Sequence, residues 1–214
     1  MEEKINKALK AALETAPERK FTESVELAFT LRDVDLKVPT NRVQEEIRLP
    51  HGRGKEVKIA MFAAGDSASK AKKGDIHIID PSTIEDLGGN KKTAKSLANK
   101  YDYFLSEVPH MGLVGRFLGV VLGPRGKMPR PVPPTVDPSA IAAGLKNTVV
   151  VRSRDKMTFH VAIGTVKQSE DQLMENVMTV YNRVTSKLER GIGNIRSLYI
   201  KTSMGPSVAV EVIN

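Results

Sequence analysis

Residues 24–31 read SVELAFTL, in which large apolar residues alternate with smaller or polar ones. A period of two places Val25, Leu27, Phe29 and Leu31 on one face of a β-strand and their neighbours on the other. This pattern is typical of an antiparallel sheet that packs against a core on one side only. The sequence therefore predicts a half-buried strand over this stretch.

The middle of the chain has a different pattern. Short apolar runs at 57–62, 76–79 and 101–105 do not alternate strongly, and helices are predicted between them near 66–73 and 91–99. Strands without alternation that are separated by helices are typical of parallel β-α-β units, in which both faces of the sheet are covered. We therefore expect a small parallel sheet in this part.

The alternating pattern returns after Lys156. Ser169 and Gln172 form a predicted capping box, in which the serine hydroxyl accepts from an amide N–H and the glutamine reaches back. The helix that begins there is expected to end at Gly191. The other predicted elements are a helix before Pro17, a strand at 43–49 as a partner of 24–31, a helix at 137–147, and strands at 148–151, 158–163, 195–200 and 208–212.

The change of pattern and its return predict two domains, of α+β and α/β class. The first is an α+β layer made from both chain ends, residues 1–64 and 157–214. The second is a small parallel α/β domain, Rossmann-like in its pattern, which is inserted at residues 65–156. The crossings near residues 64 and 156 form a predicted hinge, and both open and closed arrangements are compatible with it.

The composition excludes several classes of protein. The 214 residues include 33 Lys and Arg against 25 Asp and Glu, a net charge of +8, and no cysteine. Disulfides and thiolate metal sites are therefore absent, which suits a reducing compartment. No apolar run reaches the roughly 18 residues of a membrane helix, and the charged N-terminus is unlike a signal peptide. We expect a cytoplasmic protein without a membrane partner, and the positive charge favours a polyanionic partner.

Motifs for catalysis are incomplete. Near Gly126-Lys127, Val121 stands where a phosphate-binding loop needs glycine, and Met128 cannot ligate magnesium. The four histidines are scattered, so neither a metal site nor a cofactor is expected. The sequence predicts a protein that is not an enzyme.

Two stretches have unusual composition. Residues 123–131, GPRGKMPRP, predict a stiff exposed loop, and residues 91–130 carry eight Lys or Arg against Asp102 and Glu107, a surplus of +6. This stretch fits a solvated loop or a surface that follows phosphates. Residues 202–206, TSMGP, fit either a hairpin corner whose methionine fills the core or a turn that offers hydroxyls and amides to RNA.

Four motifs carry a resemblance to a known family. KFTESVELA at 20–28, LPHGRGK at 49–55, LGPRGKMP at 122–129 and TSMGP at 202–206 occur in the order of the universal large-subunit ribosomal protein one. They span nearly the whole chain, and the chain resembles the archaeal branch in its short N-terminus and its KMPRP variant. The resemblance favours the RNA-binding interpretation of the TSMGP turn.

The resemblance implies a two-domain fold and a function without catalysis. Members of this family bind the rRNA of a mobile stalk in the large ribosomal subunit, beside the exit site, and assist the release of deacylated tRNA. A translational repressor role, through binding to the protein's own mRNA, is implied as well. We expect a ribosome-bound cytoplasmic protein that is a monomer when it is off the ribosome.

The resemblance also implies which residues face RNA. On the first and last motifs and the strand before the latter, these are Lys20, Phe21, Glu23, Ser24, Ser197, Thr202, Ser203, Met204, Gly205 and Pro206. A secondary basic surface is expected from Arg116, Arg125, Lys127, Arg130 and Lys167. Lys201 and Thr165 depart from the family pattern, which has a hydroxyl residue at the first position and, in bacteria, lysine at the second. The interpretation requires that the segments near Phe21 and Met204 come together in space.

Two other functions are compatible with the residues alone. A DNA-binding or general single-stranded-RNA protein that uses the basic stretch would bind with a steep salt dependence. A phosphate-handling enzyme that uses the central α/β layer would have perturbed titratable groups at the strand ends.

Overall fold

The structure is a computed structural model that describes residues 1–211, except for the side chain of Lys73. In chain order its helices and strands are α1 (Glu2–Glu14), β1 (Ser24–Leu31), β2 (Gln44–Arg48), β3 (Ile59–Phe62), α2 (Gly65–Lys73), β4 (His77–Ile79), α3 (Ile84–Gly89), α4 (Lys91–Lys100), β5 (Tyr103–Glu107), α5 (Met111–Arg125), β6 (Arg130–Val132), α6 (Pro138–Lys146), β7 (Thr148–Arg152), β8 (Thr158–Thr165), α7 (Glu170–Lys187), β9 (Ile195–Thr202) and β10 (Ser207–Val210).

The chain divides into two compact units. The outer unit comprises Met1–Lys55 and Asn147–Asn214, and the inner unit comprises Glu56–Lys146. Both boundaries lie earlier along the chain than the predicted ones after 64 and after 156. The reason is strand pairing, because β3 pairs with β4 and β5 of the inner unit, whereas β7 pairs with β2 of the outer unit.

The main sheet of the outer unit has the strand order β10-β9-β1-β8, and its strands are antiparallel. The alternation predicted for residues 24–31 is confirmed, because Val25, Leu27, Phe29 and Leu31 are all buried. Leu27 lies opposite Val161 on one side and Ile200 on the other, so the apolar face continues across the sheet. Helices α1 and α7 pack on this face, and Ile47 of β2 and Val149 and Val151 of β7 join the same core.

The second face of this sheet is more open. Glu26, Ala28 and Thr30 on the central strand β1 are half-buried, while Tyr199 on β9 and His160 on β8 are exposed. The unit therefore has one core face and one face that is accessible to ligands, as expected for an antiparallel layer.

The strand predicted at 43–49 has a different partner from the expected one. β2 pairs antiparallel with β7 in a separate two-stranded sheet, with Ile47 opposite Val149, and not with β1. Similar alternation in two strands does not specify that they pair, because the register depends on which faces can be buried together.

The inner unit contains the predicted parallel sheet, with the strand order β4-β3-β5-β6. Its two faces bury different sets of residues, with Phe62 and Phe104 in one cluster and Met61 and Leu105 in the other. This burial on both faces explains why the central strands lack alternation. The helices predicted near 66–73 and 91–99 are confirmed as α2 and α4.

Three local predictions need correction. The stretch 123–131 is not one loop, because α5 extends to Arg125, Gly126 ends it in the left-handed conformation (φ 66°), and β6 begins at Arg130. Helix α7 ends at Lys187, before Gly191. The last predicted strand is β10, and Val212 lies outside the described residues.

Candidate nucleic-acid interface

The two segments with family motifs at the chain ends lie side by side. The backbone N–H of Ser24 donates to the hydroxyl of Ser203 (3.1 Å), and the N–H of Ser203 donates to the carbonyl of Ser24 (3.0 Å). These bonds extend the β1–β9 ladder, in which Val25 is opposite Thr202. Residues 20–24 and 202–206 therefore form one continuous surface, which we call the shelf.

Two large apolar side chains of the shelf face solvent. Phe21 is 53% exposed and Met204 is 60% exposed. The methionine therefore does not fill the core, and the hairpin-corner interpretation of residues 202–206 is wrong on this point. An exposed aromatic ring and an exposed thioether cost free energy in water, since each keeps apolar area hydrated. Together with Lys20, which is also exposed, they offer a mixed apolar and cationic contact surface.

Thr202 holds the turn in place. It is fully buried, and its Oγ1 accepts a hydrogen bond from the N–H of Gly205 (3.0 Å). A Cβ atom at Gly205 would collide with that same Oγ1. Thr202 therefore positions the Met204-Gly205-Pro206 turn from beneath, and its side chain is fully covered in the protein without RNA.

Ser24 and Ser203 differ in exposure. Ser24 is buried (7% exposed), whereas Ser203 is half-buried and its hydroxyl is within 3.4 Å of the Ser24 carbonyl. Lys201, which departs from the family pattern, directs its Nζ to the carbonyl of Ser203 (3.4 Å). This lysine therefore adds a positive charge at the border of the shelf.

Ser197 lies on the open face of the sheet and not on the shelf itself. It is half-buried and opposite Thr30, at the other end of β9 from Thr202. Along the same face, Ala28 of β1 has His160 on one side and Tyr199 on the other. Sequence reasoning did not single out these two aromatic rings, although the period of two in both strands places them on this face.

Lys167 is exposed in the turn between β8 and α7. Thr165, which occupies the position of the bacterial lysine, is 1% exposed, and its N–H donates to Oε1 of Gln168 (2.9 Å). At Gly164 a Cβ atom would collide with Gln168 and Leu173, so this corner has no room for a larger residue.

The predicted basic surface of the inner unit is largely engaged in local contacts. Nζ of Lys127 donates to the carbonyls of Ala98 (2.8 Å) and Tyr101 (2.7 Å), where it caps the last turn of α4. Arg125 donates to the carbonyl of Val121 (3.1 Å). The two remaining guanidinium groups lie over aromatic rings, Arg116 over Phe117 (5.5 Å) and Arg130 over Tyr103 (5.8 Å). Arg116 and Arg125 are nevertheless exposed.

The pKa values of Asp80 and Tyr181 are shifted, and neither group is on the shelf. Hydrogen bonds from the hydroxyl and then the backbone N–H of Ser82 lower the pKa of Asp80. Burial raises the pKa of Tyr181. Among residues 1–211, no three histidine, aspartate or glutamate side chains come close enough together to hold a metal ion. Over the same residues, no helix has the length and apolar character that a membrane span requires.

The fold is that of a two-unit protein, in which the outer unit is built on an antiparallel sheet with one open face and the inner unit on a parallel sheet covered on both faces. The chain belongs to the Ribosomal protein L1p/L10e family, whose model matches residues 9–206. It is 48% identical over 207 residues to the large ribosomal subunit protein uL1 of Thermoplasma acidophilum, which covers 97% of this chain and 95% of that protein. The protein of the same name from Picrophilus torridus is 47% identical over 97% of each chain. That of Pyrococcus horikoshii is 47% identical over 98% of this chain and 96% of its own.

The family resemblance inferred from the four motifs is thereby confirmed. The relatives are named as ribosomal proteins, and the family is not one of enzymes. The phosphate-handling enzyme is therefore no longer a supported alternative.

Proposed function

We propose that this protein binds the rRNA of the large ribosomal subunit through the shelf. The observation that carries the proposal is the pair of hydrogen bonds between Ser24 and Ser203, because they join two family motifs into one surface. The names of the relatives support it, since each is a large ribosomal subunit protein.

The physical basis is a pre-ordered docking surface. The hydrogen bonds between Ser24 and Ser203 tie the shelf to the end of the β1–β9 ladder, and Thr202 holds the turn, so this part of the shelf loses little conformational entropy on binding. Phe21 and Met204 gain burial against sugars or bases, and Ser203 and Lys20 supply a hydroxyl and a charge for the RNA backbone. Few cations take part, so the salt dependence of binding is expected to be moderate.

The finer proposal concerns where this RNA lies. The stalk beside the exit site is its expected location, where the protein assists the release of deacylated tRNA. The repression of translation through its own mRNA requires that this mRNA present the same structure as the rRNA. The protein then acts in the cytoplasm, bound to the ribosome, and as a monomer when it is free. The inner unit adds a basic field through exposed Arg116 and Arg125.

A filter-binding experiment tests the proposal. The full chain is titrated with a stalk rRNA fragment, a scrambled RNA of equal length and duplex DNA, at two salt concentrations. We expect the stalk fragment to bind at least about a thousandfold more tightly than the others, the lower end of the usual range for specific nucleic-acid binding.

Two results would contradict it. Equal affinity for duplex DNA, with a steep loss at the higher salt concentration, would favour a general basic-patch protein. Unchanged affinity after the shelf is altered by Met204→Ala would mean that RNA binds elsewhere.

A further inference from the structure

A cleft beside Phe21 contains a carboxylate that has an unsatisfied oxygen. The cleft has a volume of about 640 Å³ and is lined by residues from the end of α1 to Arg19, by Phe21 and Glu23, and by the turn that leads into α7. Phe21 forms an exposed part of its wall, while Glu23 is only 3% exposed. Oε1 of Glu23 has no hydrogen-bond partner among the described residues.

An ionised carboxylate can only accept hydrogen bonds, and buried polar groups in folded proteins are nearly always bonded. The missing partner of Glu23 must therefore be a donor. The terminal torsion of a glutamate side chain is soft, so that the carboxylate can rotate towards the cleft without a movement of the backbone. The unsatisfied oxygen thus favours a ligand that brings N–H or O–H groups into the cleft.

The charges around the cleft disfavour a phosphate as that ligand. Glu18 and Glu170 line it as well, and Glu170 has the ammonium group of Lys10 at 3.5 Å. Arg19 also lines the cleft, and Lys20 follows it in the chain. This arrangement suits a neutral group rich in donors, with the RNA backbone held outside by the cations.

Among the parts of an RNA, the guanine base meets these requirements. Its Watson–Crick edge has two adjacent donors, N1–H and the N2 amino group, which match the two oxygens of a carboxylate. Adenine, cytosine and uracil each have a single donor group on that edge, flanked by acceptors that a carboxylate repels. Aromatic side chains such as Phe21 stack on bases that are unpaired, because only then are the ring face and the edge accessible.

We propose that the Phe21–Glu23 cleft is a pocket for one unpaired guanine, with Glu23 accepting from N1–H and the N2 amino group and Phe21 packing on the base. This inference rests on the proposed function, because the guanine belongs to the RNA that the shelf binds. Glu23 then gives base specificity, whereas the rest of the shelf contacts sugar and phosphate.

The test replaces each unpaired guanosine of the stalk rRNA fragment, one at a time, with inosine, which lacks the N2 amino group. Affinities are measured for the full chain, for Glu23→Gln and for the matched control Glu18→Gln, which alters a carboxylate of the same cleft. We expect one inosine substitution to weaken binding about tenfold in the unaltered protein and in Glu18→Gln, the scale of one lost hydrogen bond to a charged group. In Glu23→Gln the same substitution should have less than about a twofold effect, since the carboxylate that reads the amino group is gone.

The outcomes separate this pocket from the proposed function. If the fragment binds tightly but every inosine substitution is neutral, the guanine pocket is overturned and the proposed function remains. If 2′-deoxyguanosine weakens binding and inosine does not, Glu23 contacts a ribose hydroxyl, which also overturns the pocket. If the fragment is not bound at all, both fail.

A variant that does not fold would be recognised by its thermal unfolding. Phe21→Leu provides a second route, because this residue is exposed and tolerates the change. It should weaken binding of the unmodified fragment by removing the stacking surface, while the inosine penalty persists. Unchanged affinity in Phe21→Leu would contradict the stacking role.

Discussion

The shelf of the outer unit differs in construction from the basic stretch of the inner unit, residues 91–130. The shelf has few charges, but it exposes Phe21 and Met204 directly beyond the end of the β1–β9 ladder. The basic stretch is rich in cations, but Lys127 and Arg125 donate to carbonyls of their own unit. A count of positive charge therefore does not identify the binding surface, because a cation that caps a helix is already committed.

The sharpest way to break this contrast is Gly205→Ala. The added Cβ collides with Oγ1 of Thr202 and displaces the turn that carries Met204. We expect the affinity for the stalk fragment to fall about a hundredfold, which corresponds to about 3 kcal/mol and is the upper range for a strained, overpacked site. Filter binding measures the loss.

Gly119→Ala is the matched control for this substitution. A Cβ at Gly119 in α5 meets nothing within 4 Å, so the inner unit should accept it without a change in RNA affinity. Equal losses for the two variants would contradict the claim that the turn geometry is responsible.

Met204→Ala and Ser203→Val each remove one contact of the shelf and should displace the backbone less than Gly205→Ala does. The first deletes an exposed apolar side chain, and the second deletes the hydroxyl that accepts from Ser24. Each should weaken RNA binding by roughly 1–3 kcal/mol, the cost of a lost or unpaired polar or packing group. If neither variant lost affinity in the binding assay, the assignment of the shelf would be wrong.

The double variant Arg116→Ala with Arg125→Ala examines the basic stretch. Both side chains are exposed, so they act on RNA through a screened long-range field. We expect a loss of only about two- to threefold at low salt and none at high salt. A loss as large as that of Met204→Ala would remove the contrast between the two regions.

Lys127→Met should have the smallest effect on RNA and a clear effect on stability. Its Nζ donates to two carbonyls at the end of α4, so its loss should lower the free energy of unfolding by about 1–3 kcal/mol. RNA affinity should change less than about twofold, which is the usual size of the effect of a surface substitution. Urea unfolding and filter binding measure the two quantities, and Lys95→Ala, an exposed lysine of the same helix, is the control.

The local residue pattern was sufficient to predict most helices and strands, but it did not predict which strands pair. The period of two identified β1, and the capping box of Ser169 and Gln172 identified the start of α7. The pairing of β2 with β7 was missed, because alternation indicates which face of a strand is buried but not which strand lies beside it. Helix α5 was not predicted, and its last turn contains Gly123 and Pro124, residues that usually interrupt helices.

The same division holds for the candidate site. The motifs name its residues, and exposed Phe21 and Met204 agree with a contact role. The motifs do not distinguish Thr202, which supports the turn from beneath, from Ser203, which borders the surface. Glu23 was named as one residue of a motif, and only its burial and its unsatisfied oxygen separate it from its neighbours.

The amino-acid sequence by itself determined the two kinds of layer, the positions of most of their helices and strands, and the family, because these depend on short-range periodicity and on motifs. The tertiary structure alone decided that Ser24 and Ser203, 179 residues apart, bond to each other, and that Lys127 reaches the end of α4. Such contacts depend on which surfaces bury the most apolar area when the chain packs, and no local window of the sequence contains that information.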